Sequence, residues 1–154
     1  MPTLITLGTH RLRRGRYSEP GRAYLLTATT HNRTPHFQRL EIGRLLVAEL
    51  RAAHEDGWAT SLAWVVMPDH LHWLVSLQDQ SLSRLMRRIK ANSAREARRC
   101  LGVEATIWQK GFHDRALRRD EDLLAVSRYI VANPLRAGLA RRVGDYPLWD
   151  CAWL

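Results

Sequence analysis

The chain has 154 residues, enough for one domain with one core. Hydrophobic residues make up 45% of it and the formal net charge is +9, which excludes a disordered acidic chain and favours a polyanionic partner. The basic residues are almost all arginine, with Lys90 and Lys110 the only lysines, and arginine suits phosphate through its planar, two-pronged donor set.

Residues 1–22 form a basic leader with Arg11, Arg13, Arg14, Arg16 and Arg22 against Glu19 alone, and read as a flexible arm or an ordered loop ahead of a domain at 23–154. Ala23 to Thr30 reads as a strand and His31 to Phe37 as a loop. Leu40 to His54 has helical spacing and is closed by Gly57. Two strands follow, Leu62 to Met67 and His70 to Ser76, joined at Pro68-Asp69. Ser81 or Ser83 caps a helix that runs to about Leu101 and stops at Gly102. Ala105 to Trp108 and Asp114 to Arg118 read as short strands. Asp120 caps a last helix, which Pro134 ends at Asn133. Hairpins beside single crossovers point to an α+β fold with helices on an antiparallel sheet.

Three features bear on chemistry. His70 and His72 lie two apart on a strand, so both imidazoles face one way and Leu71 faces the other. The spacing fits a clamp for one divalent ion; it fits equally two unrelated histidines beside a turn. On the last helix the stripe Leu123, Leu124, Ser127, Ile130 and Val131 covers roughly one third of the circumference. Tyr129 lies nearly opposite, with Asn133 about 40° away on the same side. It is either an ordinary surface tyrosine or a phenol presented to a ligand. Arg84, Arg87, Arg88, Arg95, Arg98 and Arg99 recur at three- and four-residue steps and build a basic ridge, continued by Lys90, Lys110, Arg115 and Arg118. That ridge reads as a phosphate track. Trp108 and Phe112, flanking Gln109-Lys110-Gly111, are either a platform for a base or core. Cys100 and Cys151 form no disulfide framework or zinc pattern, and no apolar stretch is long enough to span a bilayer.

Taken together these segments resemble a known family. Met67-Pro68-Asp69-His70-Leu71-His72 resembles the His-hydrophobic-His (HUH) motif of the single-tyrosine transposases. Tyr129-Ile130-Val131-Ala132-Asn133-Pro134-Leu135-Arg136-Ala137-Gly138-Leu139 resembles the nucleophile helix of their REP-associated branch. Trp108 to Asp114 resembles that branch's Trp-Gln block, and Arg14 to Gly21 its N-terminal signature.

The resemblance implies a ferredoxin-like fold, Tyr129 as nucleophile, and Mg²⁺ or Mn²⁺ held by His70, His72 and Asn133. It implies single-stranded or hairpin DNA, such as REP-like palindromes, as substrate. Arg14, Arg16 and the basic helix are where DNA contacts are expected. Asp69 and His113 are candidates for a general base. The expected setting is the cytoplasm, on the nucleoid, without a membrane partner, as monomer or homodimer. Two other readings fit parts of the pattern. One is a non-catalytic single-stranded nucleic-acid-binding domain of the same fold; the other is a different two-histidine metalloenzyme.

Overall fold

The computed structural model describes residues 5–6, 21–118 and 121–153. Its strands are β1 (Ile5–Thr6), β2 (Ala23–Thr29), β3 (Ala59–Met67), β4 (His70–Leu77), β5 (His113–Ala116) and β6 (Trp149–Cys151). Its α-helices are α1 (Leu40–Glu55), α2 (Leu82–Leu101), α3 (Leu123–Val131) and α4 (Asn133–Arg136). The strands form one antiparallel sheet in the order β1-β5-β2-β4-β3-β6. The inner four follow a β-α-β-β-α-β path and lie in the order β5-β2-β4-β3, which is the ferredoxin-like arrangement the sequence predicts.

The two faces of the sheet are covered differently. Alternation along β2 and β4 sends Tyr24, Leu26, Ala28, Leu71, Trp73 and Val75 to one side, where α1 and α2 close a large apolar core. Helix α1 contributes Ile42, Leu46 and Leu50, and α2 contributes Leu85, Met86 and Ile89. Val65, Met67 and Leu74 point to the other side, where a smaller cluster packs them against Ile130 and Val131 of α3. The helix ends follow their sequence signals. The Ser81 hydroxyl accepts from Arg84 N (3.1 Å), and Gly102 takes the left-handed φ of +69° that ends α2.

The structure corrects four expectations about elements. Ala105 to Trp108 is not a strand; Trp108 makes a single bridge to Thr30. His31 N donates to Ile107 O and Gln109 N to Thr29 O, so the segment ties off the end of β2 instead of running along the sheet. The last helix is capped by Asp122, whose Oδ1 accepts from Leu124 N (2.9 Å) and Ala125 N (3.2 Å); Asp120 lies outside the described residues. Pro134 does not end helical structure. It occupies the first turn of α4, where a missing N–H breaks no bond. Ile5 and Thr6 lie in the stretch read as an arm, yet they pair with Arg115 and Asp114 on β5.

The tail is fixed to both layers. Leu148 enters the main core and fills the space a Cβ at Gly43 would need. The Tyr146 hydroxyl donates to Val66 O (2.6 Å), and its burial pushes the phenol up to about 12. Both cysteines are free thiols, and among the described residues no helix is long and apolar enough to cross a membrane.

Candidate functional site

His70 and His72 open β4 on the face shared with α3, and their ring centroids are 4.8 Å apart. Val65 and Met67, which pair with them across β3, belong to the smaller core, and both imidazoles are half-buried beside it. Each is oriented through Nδ1. Asp69 Oδ1 lies 2.8 Å from His70 Nδ1. A carboxylate only accepts, so this Nδ1 carries a proton, and in the neutral ring Nε2 keeps its lone pair. Thr27 Oγ1 lies 2.9 Å from His72 Nδ1, a contact set by the Thr27–His72 register of β2 and β4. When that hydroxyl accepts, the second Nε2 is also a lone-pair donor. No hydrogen bond engages either Nε2 among the described residues.

Burial lowers His72 to about 4, with the neighbouring His70 and Arg136 adding to the effect. The ring is therefore neutral at neutral pH, as ligation of a cation requires. Asp69 is itself held. Burial alone would raise its carboxyl, but the His70 hydrogen bond and Arg33 outweigh that and keep it below its ordinary range. Arg33 Nε donates to Asp69 Oδ2 at 3.0 Å. Asn32 and Arg33 both have positive φ, 55° and 54°, an uncommon geometry for residues with a side chain. Thr30 secures that loop, donating from N and from Oγ1 to Asp69 O at 2.9 and 3.1 Å. Asp69 thus orients a histidine, and with both oxygens engaged it is a poor proton acceptor. His113 sits beside Thr27 on the neighbouring strand, exposed and on the same face as His72.

Tyr129 is 63% exposed, on the side of α3 turned away from the core. The guanidinium of Arg136 lies 3.7 Å from its ring centroid and donates from Nη2 to Tyr129 O (2.7 Å). Asn133 begins α4 half-buried, and its side-chain amide makes no hydrogen bond among the described residues. The structure thus puts the histidine pair and the tyrosine helix on one face of the sheet, with Arg136 stacked on the phenol and its charge felt at His72.

The basic residues separate. Helix α2 lies on the opposite face from the histidines. Arg88 packs over the Trp58 ring (4.7 Å to the centroid) and pairs with Asp56 Oδ2 at 2.5 Å, while Arg84 lies 6.0 Å from the same ring. Lys90 Nζ donates to Gln109 O and Gly111 O, both at 2.7 Å, tying α2 to the loop before β5. Arg115 grips Glu121 Oε2 through Nη1 and Nη2 at 2.8 and 2.5 Å, and Arg118 N donates to Glu121 Oε1. Arg87, Lys90 and Lys110 line a cleft of about 290 Å³ floored by Met86 and Phe112. Arg14 and Arg16 lie outside the described residues. Trp108 and Phe112 are core and not a platform: both are buried, and Trp108 Nε1 donates to Ser93 Oγ at 3.0 Å. The roles of Thr27 and Arg33 were not legible in the sequence, because each reaches its partner only through the sheet or a loop.

A ferredoxin-like sheet that carries an imidazole pair, with a helix packed on the same face bearing an exposed tyrosine, defines a class of protein. Residues 22–133 match the family described as Transposase IS200 like. The chain belongs to that family, so its reaction class is DNA strand transfer. It is 28% identical over 134 residues to the REP-associated tyrosine transposase of Escherichia coli K12, covering 86% of this chain and 78% of that one. A solved structure of a REP-associated tyrosine transposase bound to a REP hairpin superposes with a TM-score of 0.71 at 27% identity, over 87% of this chain and 79% of that one. A crystal structure from Deinococcus radiodurans R1 shares the fold, with a TM-score of 0.52 at 22% identity over 75% of this chain and 92% of that one. The resemblance to the REP-associated branch read from the sequence therefore stands.

Proposed function

We propose that this chain cuts and rejoins single-stranded or hairpin DNA of the REP-palindrome type through a covalent bond to Tyr129, with a divalent cation, Mg²⁺ or Mn²⁺, on His70 and His72. The carrying observation is the histidine pair itself: each Nδ1 is anchored, neither Nε2 is engaged, and an exposed tyrosine stands on the same face. Among the described residues no third histidine, cysteine or carboxylate completes a group of three around them. The remaining donors are then oxygens: the Asn133 amide, the DNA phosphate and water. Imidazole with oxygen suits Mn²⁺ well, whereas Mg²⁺ favours oxygen throughout. When bound, such a cation polarises a non-bridging phosphate oxygen and offsets charge that grows on it during attack.

The residues of the chain do the rest. The Tyr129 oxygen forms a new bond to phosphorus as the bond from phosphorus to the 3′ oxygen breaks. The phenol gives up its proton and the departing oxygen becomes a 3′-hydroxyl. Phosphodiester number is unchanged, so a second 3′-hydroxyl reverses the step without ATP. His113 is the candidate to receive the phenol proton, since Asp69 is committed to His70 and Arg33. Arg87 and Lys110, with Arg14 and Arg16 of the leader, are the DNA contacts we favour; Arg84, Arg88, Lys90, Arg115 and Arg118 contribute less, because they also hold protein partners.

The test is an adduct assay with Mn²⁺ and hairpins from the surrounding genome. Unaltered protein should give a DNA-linked band on a denaturing gel. Tyr129→Phe should lose it by at least about 10³-fold while still binding hairpin. An adduct that persists in Tyr129→Phe removes the tyrosine from this role. Binding should weaken with salt at a log–log slope of about −0.7 per phosphate contact.

A further inference from the structure

The guanidinium of Arg136 lies against the tyrosine, and the proposed reaction leaves it without a task. Along an unbroken helix, residues seven apart stand about 10.5 Å apart on the axis. The chain breaks at Ala132, where φ is −83° and ψ is −1°, and restarts as α4. That break lets Arg136 fold back onto Tyr129. Its guanidinium covers the ring at 3.7 Å from the centroid, and Nη2 donates to the Tyr129 carbonyl at 2.7 Å. The two contacts fix different things: the hydrogen bond locates the guanidinium on the end of α3, and the stack then fixes the plane of the ring. Tyr129 otherwise stands in solvent, where an unheld phenol samples several rotamers. Among the described residues no other ring contact or side-chain hydrogen bond holds that phenol.

We propose that Arg136 is a positioning residue for strand transfer, clamping the Tyr129 phenol in one orientation on the face of the sheet that carries His70 and His72. The inference rests on the reading of Tyr129 as nucleophile. Its physical basis is that a reacting atom held in line reacts far faster than one that must be found, and a misplacement of about 1 Å can cost roughly 10²-fold. A planar cation over an aromatic ring supplies such a hold at the surface.

The experiment compares Arg136→Gln, Arg136→Ala and Arg136→Lys with the unaltered full chain. Arg136 is exposed, so all three should melt with the parent. With Mn²⁺ and saturating hairpin, Gln and Ala should slow adduct formation about 10- to 100-fold, with hairpin affinity unchanged. Lys keeps the charge without the planar stack and should recover part of that loss. A second readout needs neither metal nor DNA. In protein carrying ¹³C-labelled tyrosine, the Tyr129 ring signals, assigned with Tyr129→Phe, should shift and sharpen towards free-tyrosine values in Arg136→Gln. Unmoved ring signals overturn the clamp, as do normal adduct rates in Gln and Ala. Failure of the unaltered protein to form any adduct overturns the strand-transfer reading instead, and removes the attack that Arg136 would serve.

Discussion

The two faces of the sheet are built from the same strands and do different work. On the α1/α2 face the layer is continuous: Leu26, Leu71, Trp73 and Val75 are fully covered or nearly so, and the buried indoles of Trp73 and Trp108 each find a hydroxyl, Ser61 Oγ and Ser93 Oγ. On the α3 face the apolar layer is smaller, and α3 shares it with Val143, Tyr146 and Trp149 of the tail. Beyond Leu74 the same row continues as His72 and His70, half-buried and tied through Nδ1. The candidate chemistry sits where this row turns polar, beside the smaller core. A site there keeps rigid strand geometry and low polarity on one side, and stays open to a polymer on the other.

The sharpest way to break that comparison is to remove one imidazole. His70→Ala should abolish adduct formation while the melting temperature stays near the parent's, because the ring contributes to neither apolar core. Excess EDTA should do the same to the unaltered protein. Intact activity in His70→Ala, measured on the same gel, would detach the chemistry from this face. Trp73→Ala is the opposite case, three residues along the strand and on the other face. Its side chain is fully buried, so truncation should cost about 3–5 kcal/mol by denaturant unfolding. Loss of activity there should follow loss of fold.

Much of this division was readable in advance, and what was not has a physical reason. The β-α-β-β-α-β order, the Ser81 and Gly102 caps and the shared face of His70 and His72 follow from local periodicity, which sequence reports directly. Edge strands of two or three residues, Ile5–Thr6 and Trp149–Cys151, carry too little pattern to be seen. The basic ridge was legible as charge but not as occupancy. Arg88 finds Asp56, and Lys90 finds two carbonyls, only once α2 docks. Thr27 likewise meets His72 across 45 residues by strand register alone. Pro134 misled because proline, which stops a helix from its interior, is also at home in the first turn of one, where it stands in α4.

A smaller effect sharpens the contrast at the level of orientation. Asp69→Asn keeps the size of the side chain but removes the charge that fixes His70. Hydrogen-bonding partners of metal-binding histidines typically matter 10- to 100-fold, so metal affinity should drop by about that factor. Titrating Mn²⁺ against hairpin cleavage would show the loss as a rightward shift with the plateau largely kept. An unshifted titration would mean that the Asp69–His70 bond is incidental to the site.

The smallest expected effect tests whether the α3 face is as well made as the other. Ser127 lies on the side of α3 that faces the sheet, fully buried, and its Oγ has no hydrogen-bond partner among the described residues. The corresponding polar atoms under α1 and α2 are satisfied. Leaving a buried hydroxyl unpaired forfeits its hydration with no return, whereas a methyl group there loses nothing. Ser127→Ala should therefore stabilise the protein, by up to about 1 kcal/mol in denaturant unfolding. Amide exchange should show the same asymmetry in the unaltered chain, with α3 opening at lower free energy than α1 and α2, and Ser127→Ala should slow exchange in α3 selectively. If Ser127→Ala destabilises, the hydroxyl has a partner in solution, and α3 is fastened to the sheet as firmly as the helices opposite.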